Sequence, residues 1–184
     1  MTEMLSEKMS GKPTGKLTGN LTGKTSESEK MSSARQFCTF YLNHLLFGVE
    51  SQKIQEVVTY RELRPVPLAP PVVTGLMNLR GQVVVALELR RQLELPDRPP
   101  DMTPVCLVVR TAGGTVCLLA DEVGNVVEVE EQTFEPSPET LSPRLRSVIL
   151  GVHKLEHQLM HVLDTDQACE VQTVSKGKGQ SGGA

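Results

Sequence analysis

The chain has 184 residues, a net charge of −3 at pH 7, 39% hydrophobic residues and only 3% aromatic residues. A nucleic-acid-binding protein needs a basic face and usually stacking rings, so this composition argues against nucleic acid as a partner. No apolar stretch approaches the roughly 18 residues of a membrane-spanning helix, and the N-terminus lacks the apolar core of a signal peptide, so we expect a cytoplasmic protein without direct membrane insertion.

The two ends of the chain differ in composition from the middle. Both are rich in small polar residues and Lys and lack a hydrophobic period, so we expect a disordered Gly/Ser/Thr/Lys-rich arm over 1–33 and a flexible tail over 171–184. Residues 19–25 resemble a phosphate-binding loop, but the spacing between the glycines is one residue short and no apolar strand precedes it. The ordered domain is predicted to span 34–170.

Strand signals open the ordered region. The apolar residues of 37–49 are interrupted by the polar pair Asn43-His44, a pattern that predicts a β-hairpin. Ser51 is placed to cap a short helix over 52–58. Such a helix would put three apolar side chains on one side, those of Ile54, Val57 and Val58.

A proline-rich stretch then leads into the longest apolar run. Residues 83–89 are mostly β-branched and too few for a comfortable helix, so they predict a buried strand. A short helix is expected within 87–95, and the four prolines of 96–104 predict a connector. A second hairpin follows over 105–120.

The remaining β signals come from 123–129 and from a pair of apolar segments at 148–155 and 159–163. Many short strands separated by turns predict barrels or a sandwich. Tryptophan is absent and aromatic residues are few, so we expect an aliphatic core. The four cysteines form no Cys-x-x-Cys pair, and we interpret them as reduced.

Three histidines, His153, His157 and His161, are spaced by four residues. On a helix they would share a face and could bind a metal. The flanking apolar residues fit a turn between two strands at least as well, and in that geometry the imidazoles diverge. A metal site is therefore an alternative hypothesis, and we predict neither a metal nor another cofactor.

Carboxylates offer the other candidates for chemistry. Asp121 and Glu122 are adjacent, so on a strand they would point to opposite faces and could not easily cooperate. Glu128 and Glu130 can share a face, where they are typical of a solvated strand edge. No serine or cysteine lies in a nucleophile motif, so we predict no catalytic residues.

Glu56 and Arg80 are better candidates for binding. Arg80 precedes Gly81 at the start of the apolar run, and Glu56 lies among apolar residues. A small apolar groove flanked by one acid and one arginine has the anatomy of a protein-binding hot spot.

Over about 35–167 the chain resembles the CheW-like coupling proteins of bacterial chemotaxis. The resemblance rests on landmarks in a fixed order, each weak alone. The hairpin at 37–49 and the segment 54–57 resemble the opening hairpin and the V-x-E-V turn of the family. The later landmarks are Pro65-Val66-Pro67-Leu68-Ala69-Pro70, Gly75 with Asn78-Leu79-Arg80-Gly81, Ala120-Asp121-Glu122-Val123 and Val162-Leu163-Asp164.

The resemblance implies an all-β fold with short helices, in which two small five-stranded SH3-like β-barrels pack around a shared hydrophobic core and the last strand returns to the first barrel. It implies a non-catalytic adaptor that couples transmembrane chemoreceptors to a histidine kinase. The cytoplasmic helical tip of the receptor would dock in a groove between the barrels, and the kinase would bind through its regulatory domain. By motif position, the groove residues are Ile54, Glu56, Val57, Asn78, Leu79, Arg80 and Gly81.

Two departures from the family pattern stand out. Val85 replaces the usual proline, which should make the strand more regular. Glu88 replaces the usual aspartate and extends its reach. Two further hypotheses remain open, a scaffold in a signalling system other than motility and a ring-forming array component without control of a kinase.

Overall fold

The computed structural model describes residues 34–171, so the segment that resembles a phosphate-binding loop, the arm before residue 34 and the tail from 172 lie outside the described residues. Three short helices are present, α1 (Leu89–Gln92), α2 (Pro143–Val148) and α3 (Thr165–Cys169), and no helix in 34–171 is long and apolar enough to cross a membrane. The strands are β1 (Ala34–Leu42), β2 (Leu45–Glu50), β3 (Ile54–Thr59), β4 (Val73–Leu79), β5 (Gln82–Glu88), β6 (Val105–Thr111), β7 (Gly114–Ala120), β8 (Glu122–Glu130), β9 (Phe134–Glu135), β10 (Ile149–Lys154) and β11 (Leu159–Leu163).

The first sheet has six strands in the order β8-β1-β2-β11-β10-β9. It begins with the hairpin β1–β2, whose turn residues Asn43 and His44 have φ of 45° and 68°, as a two-residue hairpin turn requires. The chain then leaves for the second sheet and returns for its last four strands. β11 pairs in parallel with β2. The sheet has one strand more than expected because Phe134 and Glu135 add a two-residue edge strand to β10.

The second sheet has five strands in the order β3-β6-β7-β5-β4. The segment that follows β3 crosses to the opposite edge, where Arg64 pairs with Leu76 of β4 through two backbone hydrogen bonds of 2.9 and 2.8 Å. This bridge brings the two edges of the sheet together and curls it into a small barrel.

One hydrophobic core is shared by the two sheets, and each sheet also encloses a smaller core of its own. In the shared core, Phe40 and Phe47 of the first sheet stack with their ring centroids 5.6 Å apart. Leu107 and Leu118 of the second sheet join the same cluster. The predicted fold class, an all-β chain with short helices and two barrel-like units about a common core, is confirmed.

The core is less aliphatic than predicted. Three of the four phenylalanines, Phe37, Phe40 and Phe47, are completely buried, and all three belong to the first sheet. The core inside the second sheet does lack aromatic rings, since it consists of aliphatic residues together with Met77, Cys106 and Cys117.

Two predicted elements are wrong in part. Residues 52–58 do not form a helix, because a single 3₁₀ turn at Ser51–Lys53 leads directly into β3, whose β-branched residues pair with β6. The run at 83–89 is a strand, but it is only half buried. Val83 is 71% exposed, whereas Val84 and Ala86 on the other face are buried, because this strand has the inner barrel core on one face only.

Two helices were not predicted, and both begin at a side-chain cap. Ser142 accepts a hydrogen bond from the amide of Leu145 at the start of α2. Asp164 accepts hydrogen bonds from the amides of Asp166 and Gln167 at the start of α3. Each helix is shorter than two turns, so the apolar period that would signal it in the sequence is missing.

Candidate functional site

The hairpin turn between β4 and β5 carries the Asn-Leu-Arg-Gly landmark. Arg80 and Gly81 occupy the two turn positions with φ of 51° and 89°, which suits glycine but is unusual for arginine. The side-chain oxygen of Asn78 accepts a hydrogen bond of 2.8 Å from the amide of Gly81. Asn78 and Gly81 therefore shape the turn that presents the side chain of Arg80.

Arg80 forms an ion pair with Glu56. The Nη2 atom of Arg80 lies 2.8 Å from Oε2 of Glu56, and the side chains are 81% and 23% exposed. The register of β3 against β6 shifts between Ile54 and Glu56, and such an irregularity can redirect a side chain. Two residues that are 24 positions apart in the sequence thus meet on the surface.

Beside this ion pair lies a surface hollow of about 420 Å³. Its lining residues come from the 3₁₀ turn, from four strands of the second sheet and from the β4–β5 turn; they are Gln52, Ile54, Gln55, Glu56, Leu79, Arg80, Gln82 and Arg110. The name polar hollow is used for this set below. It differs from the expected groove in two respects, because most of its side chains are polar and because no strand of the first sheet lines it.

The seven predicted site residues are therefore divided. Ile54, Glu56, Leu79 and Arg80 line the polar hollow, whereas Asn78 and Gly81 hold the turn beside it. Val57 follows Glu56 on the strand and so points to the opposite face, where it is partly exposed.

Sequence reasoning missed half of the lining. Gln52, Gln55 and Gln82 carry no motif that would single them out, since isolated glutamines are common on surfaces. Arg110 offered a weak signal, because it interrupts the apolar pattern near the end of β6 as Arg80 does after β4.

A second exposed surface lies on the outer face of the β4–β5 hairpin. Val83 and Val85 are exposed there beside Leu76 of the neighbouring strand. A hollow of about 370 Å³ next to Val83 is also lined by Arg61 and Arg64. Within 34–171, neither arginine takes part in an ion pair.

A buried charge network surrounds Asp121. Arg90 donates from Nε and Nη2 to its two carboxylate oxygens at 2.8 and 2.6 Å, and Arg98 donates from Nε at 3.1 Å. Arg98 also reaches Glu88 at 2.6 and 3.1 Å, and Glu88 accepts the amide of Arg90 at the start of α1. Each carboxylate is thus occupied by structural partners.

The three histidines do not converge. His153 on β10 contacts the rings of Phe37 and Phe134, and His161 on β11 bonds through Nδ1 to the carbonyl of Leu46. His157 is exposed in the turn between these strands. The arrangement is the strand–turn–strand alternative, and in the described part of the chain no group of His, Cys, Asp or Glu is placed to hold a metal.

The cysteines are all free, and burial governs their chemistry. It raises the pKa of Cys38, and together with the nearby Asp166 and Asp164 it raises the pKa of Cys169 to about 12. The thiols of Cys106 and Cys117 share a hydrogen bond. It lowers the pKa of Cys106 and, together with burial, raises the pKa of Cys117. Both side chains are completely buried inside the second sheet.

A surface hollow that combines an exposed arginine with apolar side chains is typical of a protein-binding site. A sequence profile of the CheW-like domain matches residues 36–172. The chain belongs to the CheW-like family, which confirms the predicted resemblance. Because proteins of this family are non-catalytic adaptors and scaffolds, the prediction that the chain is not an enzyme is also confirmed.

Curated relatives and a solved structure agree with this assignment. The chemotaxis protein CheW of Rhizobium meliloti is 26% identical over 135 residues, which cover 73% of this chain and 87% of the relative. The chemotaxis protein CheW of Helicobacter pylori is 25% identical over 142 residues, covering 77% and 86%. The crystal structure of the scaffolding protein TtCheW from Thermoanaerobacter tengcongensis has a TM-score of 0.68 at 22% identity, covering 74% of this chain and 93% of that chain; this likeness shows the fold.

Proposed function

We propose that the chain is a cytoplasmic adaptor that couples transmembrane chemoreceptors to a chemotaxis-type histidine kinase through protein–protein contacts. Its membership of the CheW-like family supports this function, as do relatives that are named as chemotaxis and scaffolding proteins. The receptor would contribute its cytoplasmic helical tip, and the kinase its regulatory domain.

The Glu56–Arg80 pair is the observation on which the receptor site rests. An exposed ion pair contributes only about 0–1 kcal/mol to stability, so folding alone gives little reason to hold Arg80 in a left-handed turn. Within residues 34–171, Arg80 bonds to Glu56 through its Nη2 atom and its other guanidinium N–H groups remain available to a carboxylate or carbonyl of a partner. Ile54 and Leu79 add apolar contact area within the polar hollow.

The polar lining affects what kind of helix fits. A receptor helix that docks here would present polar side chains at the arginine and apolar ones toward Ile54 and Leu79, at helical spacings of three and four residues. Contacts of this size give modest affinity, so repeated receptor–adaptor units would supply the avidity of an array.

The outer face of the β4–β5 hairpin is a second binding surface for the proposed adaptor. Val83 is 71% exposed. The hollow at its border is lined by Arg61, Glu62 and Arg64, and its net positive charge favours a partner that carries carboxylates. With the receptor on the polar hollow, this surface would remain free for the kinase. The signal then passes because the receptor states hold the complex with different affinities.

Charge reversal tests the receptor site. Arg80→Glu places two carboxylates together and should weaken binding of a receptor cytoplasmic fragment by about tenfold or more, the size of a hot-spot loss. The double variant Glu56→Arg/Arg80→Glu restores an ion pair in reverse. If the partner recognises the arginine at its own position, the double variant also binds poorly although its circular dichroism and urea midpoint match those of the wild type.

Arg146→Glu on α2 is the matched control, since Arg146 is exposed and distant in sequence from the hairpin. Receptor binding unchanged by Arg80→Glu would remove Arg80 from the site. Autophosphorylation of the cognate kinase, measured with and without receptor and adaptor, tests the coupling. A chain that joins receptor complexes without changing kinase output would be a scaffold or ring component instead.

A further inference from the structure

Cys106 and Cys117 are neighbours inside the second barrel. In the pairing of β6 with β7, Cys106 lies opposite Leu119, which is two positions from Cys117. The two cysteines are therefore diagonal neighbours that point to the same face of the sheet. Both belong to its small inner core and are completely buried. Their thiols share a hydrogen bond, so the two sulfur atoms are in contact before any reaction occurs.

Two thiols in contact can bind a soft metal ion or join as a disulfide. A divalent metal needs further ligands, and within residues 34–171 no group of three His, Cys, Asp or Glu side chains could supply them. A monovalent ion between two thiolates would leave a net negative charge among apolar side chains, which is costly. A disulfide carries no charge, so the surroundings of the pair favour oxidation.

The two thiols differ in reactivity. Cys106 accepts a hydrogen bond from the Cys117 thiol, and this bond lowers the pKa of Cys106. The Arg61 amide and the charge of Arg98 act in the same direction, whereas burial opposes them. Because the thiolate is the nucleophile in thiol chemistry, Cys106 attacks first and Cys117 attacks second.

The segment that follows β3 covers Cys106. The amide of Arg61 bonds to the Cys106 sulfur, and Leu63 packs against the inner core. Beyond them this segment is attached to the sheet edge through the isolated bridge between Arg64 and Leu76. Segments held by few hydrogen bonds open at a lower free energy than the whole domain. Opening of this bridge would uncover Cys106, so the buried pair can react without global unfolding.

We propose that Cys106 and Cys117 are an oxidation site at which a hydroperoxide converts the two thiols into a reversible disulfide. In the first step the Cys106 thiolate takes the terminal OH of the hydroperoxide. The O–O bond breaks, and the leaving alkoxide, or hydroxide from hydrogen peroxide, takes up the proton that Cys106 lost. The Cys117 sulfur then attacks the sulfenic acid on Cys106; the S–S bond forms, the S–O bond breaks, and OH leaves as water with the Cys117 proton. Two sulfur atoms are oxidised while one peroxide is reduced.

The position of the pair makes the disulfide easy to reduce. Diagonal neighbours on antiparallel strands lie about 7–8 Å apart, near the limit that a disulfide spans without movement of the backbone. Bond formation would draw β6 toward β7, and strained disulfides are readily reduced. Disulfides of cytosolic proteins are usually transient and redox-sensing, which fits a site that a dithiol reductant resets.

Peroxide treatment of the reduced full-length chain tests the site. After hydrogen peroxide and alkylation of the remaining thiols, mass spectrometry should find a Cys106–Cys117 disulfide, with Cys38 and Cys169 alkylated. Dithiothreitol should restore all four thiols. In urea, where the contact is lost, the same treatment should give mixed pairings. Four free thiols in the folded chain, or pairing that is no more selective than in urea, would overturn the proposal.

Single variants test the order of attack. Cys117→Ala removes the second thiol, so peroxide should leave a sulfenic acid on Cys106 that dimedone labels. Cys106→Ala should give less label, by about tenfold or more, because burial raises the pKa of Cys117. Cys38→Ala is the control and should form the disulfide as the wild type does. Equal labelling of the first two variants, with circular dichroism like that of the wild type, would contradict attack by Cys106.

Gly75→Ala tests the route of access. A Cβ atom there would lie 2.7 Å from the carbonyl oxygen of Arg64 and weaken the bridge, so the disulfide should form about fivefold faster at the same peroxide concentration. Gly113→Ala, which meets no atom closer than 3.7 Å, should react at the wild-type rate. Equal rates in the two variants would contradict entry of peroxide past this segment.

Discussion

Arg90 and Asp121 form a two-point ion pair in the interior, with their side chains only 6% and 8% exposed. Arg90 belongs to α1, and Asp121 lies at the junction of β7 and β8. Oδ2 of Asp121 also accepts the amide of Asn43 in the first hairpin turn at 2.8 Å. The carboxylate of Asp121 thus connects α1, which follows β5 of the second sheet, to the β1–β2 turn of the first sheet.

The environment of Asp121 keeps it ionised. Burial by itself would raise the pKa of its carboxyl, but the hydrogen bonds from Arg90 and from the Asn43 amide, with the charges of Arg90 and Arg98, lower that pKa below its ordinary value. Stability from this group is therefore present above the pKa of the unfolded state, near 3.9, and is lost as the pH falls from there through the folded-state pKa.

Removing the arginine should be costly. Arg90→Met leaves a buried carboxylate with fewer donors, and we expect a loss of about 3 kcal/mol in the free energy of unfolding, at the lower end for a broken buried pair because Arg98 and Asn43 remain bonded. Urea denaturation at pH 7 measures this loss. The double variant Arg90→Met/Asp121→Leu removes both charges and should be more stable than Arg90→Met. Equal stability of wild type and Arg90→Met would contradict the role assigned to the pair.

His153 is a second buried ionisable group, and its hydrogen bonds define its tautomer. Oγ1 of Thr133 donates its one hydrogen to the carbonyl of Glu130 at 2.9 Å, so the 2.8 Å contact with His153 requires Nδ1 to donate. Nε2 is then a buried lone pair that has no hydrogen-bond partner among the residues the structure describes. Protonation there would place a charge between the rings of Phe37 and Phe134.

Burial, assisted by the positive charge of Arg35, lowers the pKa of His153. In the unfolded chain the pKa is near 6.5, so between these values the unfolded state binds more protons. Stability should therefore fall as the pH falls from about 6.5 toward the lowered folded-state pKa. His153→Gln cannot titrate, and the slope of its unfolding free energy between pH 7.5 and 5 should be smaller than in the wild type.

His157→Gln is the control for this experiment, because His157 is 86% exposed in its turn. We expect its slope to match that of the wild type. The same slope in His153→Gln and wild type would show that His153 does not account for the pH dependence.

The strand content followed from local signals. Asn43-His44 and Gly113-Gly114 lie between apolar runs. Hairpins of this kind form from the conformational preferences of their turn residues and do not depend on distant parts of the chain. The error at 52–58 has a non-local cause, because Ile54 and Val57 become strand residues only through pairing with β6, about 50 positions later. A propensity for helix or strand over seven residues is too weak to oppose that pairing.

The sequence predicted half of the residues that line the candidate site, but not their geometry. The residues themselves brought Glu56 and Arg80 into one hypothesis, and the resemblance to the family added motif positions for both, but their direct contact accompanies a register shift in β3 that no motif encodes. The charge network was missed for a similar reason. Arg90 and Asp121 are 31 positions apart, and Asp121 was weighed only as a catalytic carboxylate beside Glu122 and set aside, so no signal marked it as the buried partner of two arginines. Glu88 stands where the family pattern expects aspartate, and its longer side chain forms an ion pair with Arg98.

Gly75 of the family landmark also has a purely structural role. A Cβ atom at this position would lie 2.7 Å from the carbonyl oxygen of Arg64 and 3.0 Å from Cβ of Leu63. The first contact is with backbone, which cannot rotate away as a side chain could. The absence of a side chain at Gly75 therefore lets the segment after β3 approach β4 and form the Arg64–Leu76 bridge.

Gly75→Ala should consequently open the edge of the second barrel. We expect a loss of about 1–3 kcal/mol in unfolding free energy, the usual cost of forcing extra volume into a packed site, together with faster hydrogen exchange at the amides of Arg64 and Leu76. Gly113→Ala is the matched control, since the nearest atom to its Cβ would be Oγ1 of Thr111 at 3.7 Å. That variant should be neutral or slightly stabilised, because alanine restricts the unfolded chain. If the two variants unfold at the same urea concentration, or if exchange at the bridge is unaffected by Gly75→Ala, close backbone approach is not the reason that glycine is required there.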